Sequence, residues 1–183
     1  MADRYYDLEV AGCSRRLPII NLSDKIAIAA FVMLGDTEIS EKSAAELAKK
    51  IPEGTDVIMT AATKGIALAA ELARQTGRKR YIVARKSVKA YMENPISVED
   101  TSITTAGTQK LYLMDEDAKL IKGNNVLLVD DVISTGGSMK AMRKLVEKAG
   151  GRTIGEMAVL AEGDAAKRDD IIYLQYLPLF DAQ

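Results

Sequence analysis

Two adjacent acids, Asp130 and Asp131, close the apolar run Val126-Leu127-Leu128-Val129, and Val132-Ile133-Ser134-Thr135-Gly136-Gly137-Ser138-Met139 follows without a break. Carboxylates at the end of a buried strand are costly unless they are solvated, paired or bound to a ligand. Gly136 and Gly137 allow close backbone approach and dihedrals closed to other residues. Backbone N–H groups at the helix start that should follow attract a phosphate, and Thr135 and Ser138 add hydroxyl donors. One short segment thus offers an acidic end for a diol or a metal and an N–H-rich end for a phosphate. A ribose 5-phosphate has that polarity. The plain alternative is an ordinary strand–turn–helix with an Asp-Asp turn. The loop is not of the Walker A kind, because no Gly-Lys-Ser/Thr occurs in it.

Two basic segments are the other candidates for anion chemistry. Ala62-Thr63-Lys64-Gly65 follows the apolar run at Val57, and Arg85-Lys86-x-x-Lys89 follows the run at Ile82. Lys64 stands at an expected helix start, where the helix dipole disfavours a cation, so a bound phosphate explains it better than solvent does. A lysine holds phosphate as a point charge, without the fork of an arginine. The second segment is otherwise a solvated basic face.

These residues need elements to place them. Ala44, Leu47, Ala48 and Ile51 share one helical face, with Ser43-x-x-Glu46 as a capping box near its start and Pro52 and Gly54 beyond its end. Asp56–Thr60 reads as a buried strand. Ile66, Ala69, Ala70 and Ala73 mark a helix closed by Gly77, and Arg80–Ala84 a second strand. Residues 86–100 read as a polar loop, and Thr101–Thr105 and Gln109–Leu113 as two strands about a turn at Gly107. Asn125–Val129 is the strongest strand. Met142, Leu145, Val146 and Ala149 then mark an amphipathic helix stopped at Gly150-Gly151, and Thr153–Leu160 resumes as a strand. Strands alternating with helices imply βαβ units and a doubly wound, mostly parallel sheet. Ligands of such sheets sit beyond the carboxyl ends of the strands, so the loops after Thr60, Ala84, Val129 and Leu160 point at one site. The first 35 or so residues show no clean period and read as an appendage on the main domain.

Composition narrows the function classes. The 183 residues suit one domain with a sizeable core. Lys plus Arg number 25 and Asp plus Glu 26, so the net charge of −1 offers no electrostatic reason to expect a nucleic-acid partner. Histidine is absent, which removes histidine triads and histidine metal sites. The single cysteine, Cys13, forms no disulfide within the chain and reads as a buried free thiol, in keeping with a reducing cytoplasm. The N-terminus lacks an apolar signal core, and the longest apolar run, Ile26–Leu34, is too short to span a bilayer. A cytoplasmic protein with no membrane partner is expected.

The run Val-Leu-Leu-Val-Asp-Asp-Val-Ile-Ser-Thr-Gly-Gly-Ser-Met resembles the signature of the type I phosphoribosyltransferases, most nearly its adenine version. The resemblance extends loosely from Ser40 to Leu160. It implies a single domain over 1–183, with a small hood at about 1–36, a core at about 37–183, and a flexible lid over Ser87–Asp100. It implies transfer of phosphoribosyl from 5-phosphoribosyl-1-pyrophosphate to a purine base, with adenine the best single guess, assisted by Mg2+. Asp130 and Asp131 would face the ribose hydroxyls and meet the metal indirectly, through the sugar donor or water. Ser134, Thr135, Gly136, Gly137 and Ser138 would wrap the 5-phosphate. Thr63, Lys64 and Gly65 would form the pyrophosphate loop, with Arg85, Lys86 and Lys89 on the pyrophosphate side. Leu17, Pro18, Ile19, Ile20 and the run Ile26–Leu34 would supply an apolar wall for the base or plain core. A homodimer is the family expectation. The chain departs from the adenine pattern in having Thr105-Ala106-Gly107 where Glu-Tyr-Gly is common, Lys64 and Ala62 in place of an arginine and a glutamate, and Glu162-Gly163-Asp164 after the last core strand. The rival class is a non-catalytic regulator that kept the fold and the sugar-phosphate site, although a DNA-binding version should carry a helix-turn-helix domain or a basic face.

Overall fold

The structure, a computed structural model, describes residues 4–101 and 108–183. The chain opens with an antiparallel hairpin of β1 (Tyr5–Val10) and β2 (Cys13–Asn21), in which Val10 faces Cys13. Its two-residue turn is Ala11-Gly12, with φ of 51° and 71°. Two positive φ values in a two-residue turn match the twist of the flanking strands. β3 (Ile26–Ala29) pairs with β2. α1 (Thr37–Ala48) then starts at Asp36, whose carboxylate accepts the Ile39 N–H at 3.1 Å and the Arg15 Nε–H at 2.6 Å, so one side chain caps the helix and ties it to β2.

β4 (Val57–Ala61), α2 (Ile66–Gln75) and β5 (Ile82–Ala84) follow as a parallel βαβ unit. β6 (Ile96–Thr101) and β7 (Thr108–Leu113) form an antiparallel pair. Reciprocal backbone bonds of 2.8 Å between Arg85 and Tyr112 tie this pair to the end of β5. After α3 (Asp115–Ile121) come β8 (Asn125–Ile133), α4 (Gly137–Lys148) and β9 (Arg152–Glu162). A 3-10 turn, Gly163–Lys167, leads to β10 (Ile171–Leu177), and Pro178 separates β10 from β11 (Leu179–Asp181).

The central sheet has the order β10-β9-β8-β4-β5, all neighbours parallel. Strands covered on both faces read as continuous apolar runs, as β8 does. Alternate side chains divide between two cores. Val126 and Leu128 join the α4, α3 and β7 side with Met142, Leu145 and Leu113, while Leu127 and Val129 join the α1 and α2 side with Leu47, Leu68 and Leu72. A second, four-stranded sheet of order β1-β2-β3-β11 brings the two ends of the chain together. Among the described residues no helix is long and apolar enough to cross a membrane.

Three expectations are corrected. Residues 4–35, read from the sequence as an appendage without a clean period, are mostly strand, and β11 completes their sheet. Alanine at positive φ is not a recognisable hairpin signal, and Arg16 lies over the Tyr5 ring at 4.4 Å, so charged residues sit within the strands. α1 is capped by Asp36 and not by the Ser43-x-x-Glu46 box, because Ser43 lies buried on the inner face of a helix already under way. The polar loop ends sooner than expected. β6 begins at Ile96, where half-buried Ile96 and Val98 alternate with Ser97 and Glu99. Of the strand expected at Thr101–Thr105, Ser102 to Thr105 lie outside the described residues, as does the Gly107 turn. α3 and β10 were not expected from the sequence.

Candidate active site

β8 runs on past Val129, so Asp130 and Asp131 are strand residues, and Asp131 is 2% exposed. The Asp131 backbone N–H donates to Asp130 Oδ1 at 2.9 Å. Lys64 Nζ, at the start of the neighbouring βα turn, lies 2.9 Å from Asp131 Oδ2. That contact is an ion pair without hydrogen-bond alignment, so Oδ2 is a buried oxygen that accepts no hydrogen bond among the described residues. Burial first, and then the charge of Asp131 beside it, raise the Asp130 carboxyl to about 7, against the smaller opposing pull of Lys64.

The turn after β4 is packed hard against these acids. A Cβ at Gly65 would lie 2.4 Å from Thr60 Oγ1 and 2.9 Å from Asp130 Oδ1, so only glycine fits there. The Ala62–Thr63 peptide is cis, and the Ala62 N–H donates to the Ala84 carbonyl at 2.9 Å. On the other side, Gly136 adopts φ 80° as the N-cap of α4, without a side-chain cap. Ser134 to Ser138 curve about a small recess of about 50 Å³ that Asp130 also lines. No acid occupies the first turn of α4, so its exposed N–H groups face the recess with their positive end unbalanced.

These parts open on one cavity of about 650 Å³. Asp130, Asp131, Ser134 and Ser138 line it from β8 and its loop, and Thr63 and Lys64 from the β4 turn. Lys86 enters from the segment after β5 and Leu111 from β7. The opposite wall is apolar: Leu22, Ile28 to Val32 from β3 and the chain beyond it, and Leu177 at the end of β10. Glu162, at the end of β9, also lines the cavity. Burial raises its carboxyl, Lys64 opposes that rise, and the Asp131 charge adds a smaller one.

Of the residues singled out from the sequence, Thr63, Lys64, Lys86, Asp130, Asp131, Ser134 and Ser138 share this cavity, while Thr135, Gly136 and Gly137 shape the adjoining recess. Gly65 is the spacer beneath Asp130. Arg85 and Lys89 do not line either space. Arg85 lies where its charge acts on Asp117, and the Lys89 backbone makes a turn with Met92. Of the expected base wall, the run from Ile28 to Val32 lines the cavity, whereas Leu17, Pro18, Ile19 and Ile20 do not. Thr105-Ala106-Gly107 lies outside the described residues. Glu162 was noted in the sequence only as a departure, yet its place at the carboxyl end of a parallel strand was the signal that it faces the site. Among the described residues no three or more acids, histidines or cysteines form a metal cage. The unbonded Asp131 Oδ2 and the neighbouring Asp130 are hard oxygen donors of the kind Mg2+ accepts through its waters alongside substrate phosphates.

Comparison with known proteins places this geometry. The phosphoribosyl transferase domain family matches residues 33–179. A hypoxanthine/guanine phosphoribosyltransferase of Methanococcus voltae is 31% identical over 141 residues, covering 77% of this chain and 71% of the relative. An adenine phosphoribosyltransferase of Petrotoga mobilis is 34% identical over 131 residues, covering 71% of this chain and 72% of the relative. The crystal structure of adenine phosphoribosyltransferase from Thermoanaerobacter pseudethanolicus superposes with a TM-score of 0.63 at 27% identity, covering 79% of this chain and 84% of the other.

Proposed function

Because the chain belongs to the phosphoribosyl transferase domain family, we propose that it transfers phosphoribosyl from 5-phosphoribosyl-1-pyrophosphate to a purine base, adenine first. The observation that carries this reading is the single cavity of about 650 Å³ in which two β8 acids, a phosphate recess, two lysines and an apolar wall meet. The order of these parts follows the order of groups on the donor and acceptor. The recess at Ser134–Ser138 takes the 5-phosphate, Asp130 and Asp131 accept from the ribose hydroxyls, and Thr63, Lys64 and Lys86 face the pyrophosphate. The base lies against the Ile28–Val32 wall, which presents only apolar side chains, so polar recognition of the base edge falls to backbone groups.

In the reaction a ring nitrogen of the base forms a bond to ribose C1 as the bond from C1 to the pyrophosphate oxygen breaks. The bonding electrons leave with pyrophosphate, and the base gives up its N–H proton to solvent water. Positive charge grows on the sugar, as in glycoside chemistry, and the β8 acids lie beneath it. Lys86 meets the negative charge that collects on the departing group. Lys64 must exchange its Asp131 partner for a phosphate oxygen when the donor enters, which frees Asp131 for a hydroxyl. A Mg2+ ion brought in by the donor would be met through water by Asp130 and Asp131, and would neutralise the pyrophosphate charge. Closure of the Ser87–Asp100 segment would exclude water, which would otherwise hydrolyse the donor. We also expect a homodimer, which sedimentation would read.

Steady-state turnover with the sugar donor, Mg2+ and a panel of adenine, hypoxanthine, guanine, xanthine, orotate and uracil tests the reading. Turnover of adenine above the other bases is the expected result. Preference for hypoxanthine or guanine would overturn the choice of base and keep the reaction. Tight donor binding without turnover of any base would convict the protein as a regulator.

A further inference from the structure

Behind the phosphate recess lies a charge network that the roles above do not use. Glu156, on β9, is 4% exposed. Its Oε2 accepts from Arg168 Nη2 at 2.9 Å, and its Oε1 faces Arg143 Nη1 at 3.1 Å. A buried carboxylate is costly to the fold unless its partners are held in place. Arg168, just past the 3-10 turn, is fixed a second time by Asp170, with Nε and Nη2 each donating at 2.8 Å to its two oxygens. Among the described residues its remaining nitrogen, Nη1, makes no hydrogen bond, and it lies 3.4 Å from the position a Cβ would take at Gly136.

Two features give this placement meaning. Arg143 sits about two turns along α4 from Gly136 and so on nearly the same helix face. One buried acid therefore grips α4 through Arg143 and, through Arg168, reaches its N-cap, Gly136. A cation at a helix N-terminus is also unfavourable in itself, since the helix dipole is positive there. Here the first turn of α4 has neither an acid nor a side-chain cap to offset it. The arrangement becomes favourable when a dianion enters the recess.

We infer that Arg168, locked by Glu156 and Asp170, is a positioning residue for the 5-phosphate: it holds the Gly136 turn in its binding geometry and adds a fixed positive charge behind it. The inference rests on the phosphoribosyl transfer reading but makes a separate claim, because it assigns this arginine to the 5-phosphate end of the donor and not to the pyrophosphate end.

Calorimetry with ribose 5-phosphate and with magnesium pyrophosphate, as separate ligands of the whole chain, tests it. Arg168→Met should weaken ribose 5-phosphate by about tenfold or more, the scale of one charge-assisted hydrogen bond, and change pyrophosphate by less than about twofold. In turnover the same variant should raise the KM for the sugar donor far more than it lowers kcat. Arg168→Lys should restore part of the affinity, because the charge returns without the fork. If Arg168→Met fails to fold, Glu156→Gln gives the second reading. It keeps the shape, loosens Arg168 and should weaken the same ligand in the same direction. Unchanged ribose 5-phosphate affinity in the folded variants would overturn the inference, as would a loss that falls on pyrophosphate. A wild-type protein that binds neither ligand would instead overturn the phosphoribosyl transfer reading on which it rests.

Discussion

Asp130 is the residue whose protonation the fold disturbs most among the site acids, and its effect on stability has a definite sign. Burial and Asp131 raise its carboxyl from the ordinary value to about 7 in the folded protein. The folded state therefore holds this proton more tightly than the unfolded chain does. The stabilising contribution is fully present below about pH 4 and is lost as pH rises through about 7. Asp130→Asn removes the ionisation. It should be more stable than wild type at pH 8 by about 2–4 kcal/mol, with the excess shrinking towards pH 4. Urea unfolding of both proteins at pH 4.5, 6 and 8 checks this, and a difference independent of pH would refute it. Donor affinity should fall in the same variant, because an amide replaces an acceptor for the ribose hydroxyls. Gly65 argues from steric fit and not from charge. Gly65→Ala would force a methyl into Thr60 and Asp130, and should cost about 1–3 kcal/mol in stability together with most of the activity. Thermal unfolding alongside turnover reads both.

At the scale of elements, function depends on how the pieces between strands are anchored. Lys86 reaches the cavity from a segment whose start is fixed by β5 and by the Arg85–Tyr112 bridge to β7. The bridge leaves Lys86 one residue beyond a firm anchor, suited to meeting a charge that appears only during reaction. Lys86→Ala should raise the barrier by about 2–4 kcal/mol, by analogy with loss of an oxyanion donor, and change the donor's dissociation constant much less. Single-turnover kinetics set against equilibrium binding would separate the two. A regulator would show only the change in binding. β6 was hard to read in advance. Its half-buried Ile96 and Val98 alternate with Ser97 and Glu99, a weak pattern that yields to pairing with β7.

At the scale of the whole molecule, the two ends of the chain build one wall of the cavity. β11 pairs with β3, placing Leu179 opposite Ile28, and Gly163 leaves room for Leu179, where a Cβ would lie 2.7 Å from its Cδ1. β3 and the residues after it form the apolar side of the site. Deleting residues 178–183 should therefore release β3 on one side. The expected outcome is a KM for the base raised by about tenfold, the scale on which a small apolar group matters in a hydrophobic pocket, with ribose 5-phosphate affinity nearly kept. Calorimetry with each ligand checks the split, and equal weakening of both would show that the C-terminal strand supports the core and not the hood.

What the sequence by itself determined was local chemistry with strong periodicity. The run Val126–Val129, the acids after it, the glycines at 136 and 137 and the amphipathic face of Met142, Leu145 and Val146 specify a strand, a turn and a helix. Each signal there lies within a few residues of its partner. The strand–helix alternation also pointed Thr63, Lys64 and Lys86 to the same end of the sheet. Only the tertiary structure decided which charges meet. It placed Lys64 on Asp131, drew Glu162 into the cavity, left Arg85 out of the cavity lining, and set Arg168 behind Gly136. It alone joined β11 to β3 across the length of the chain. Such pairings depend on which strands lie side by side and on how deeply each charge is buried, and neither is written in the spacing of residues along one segment.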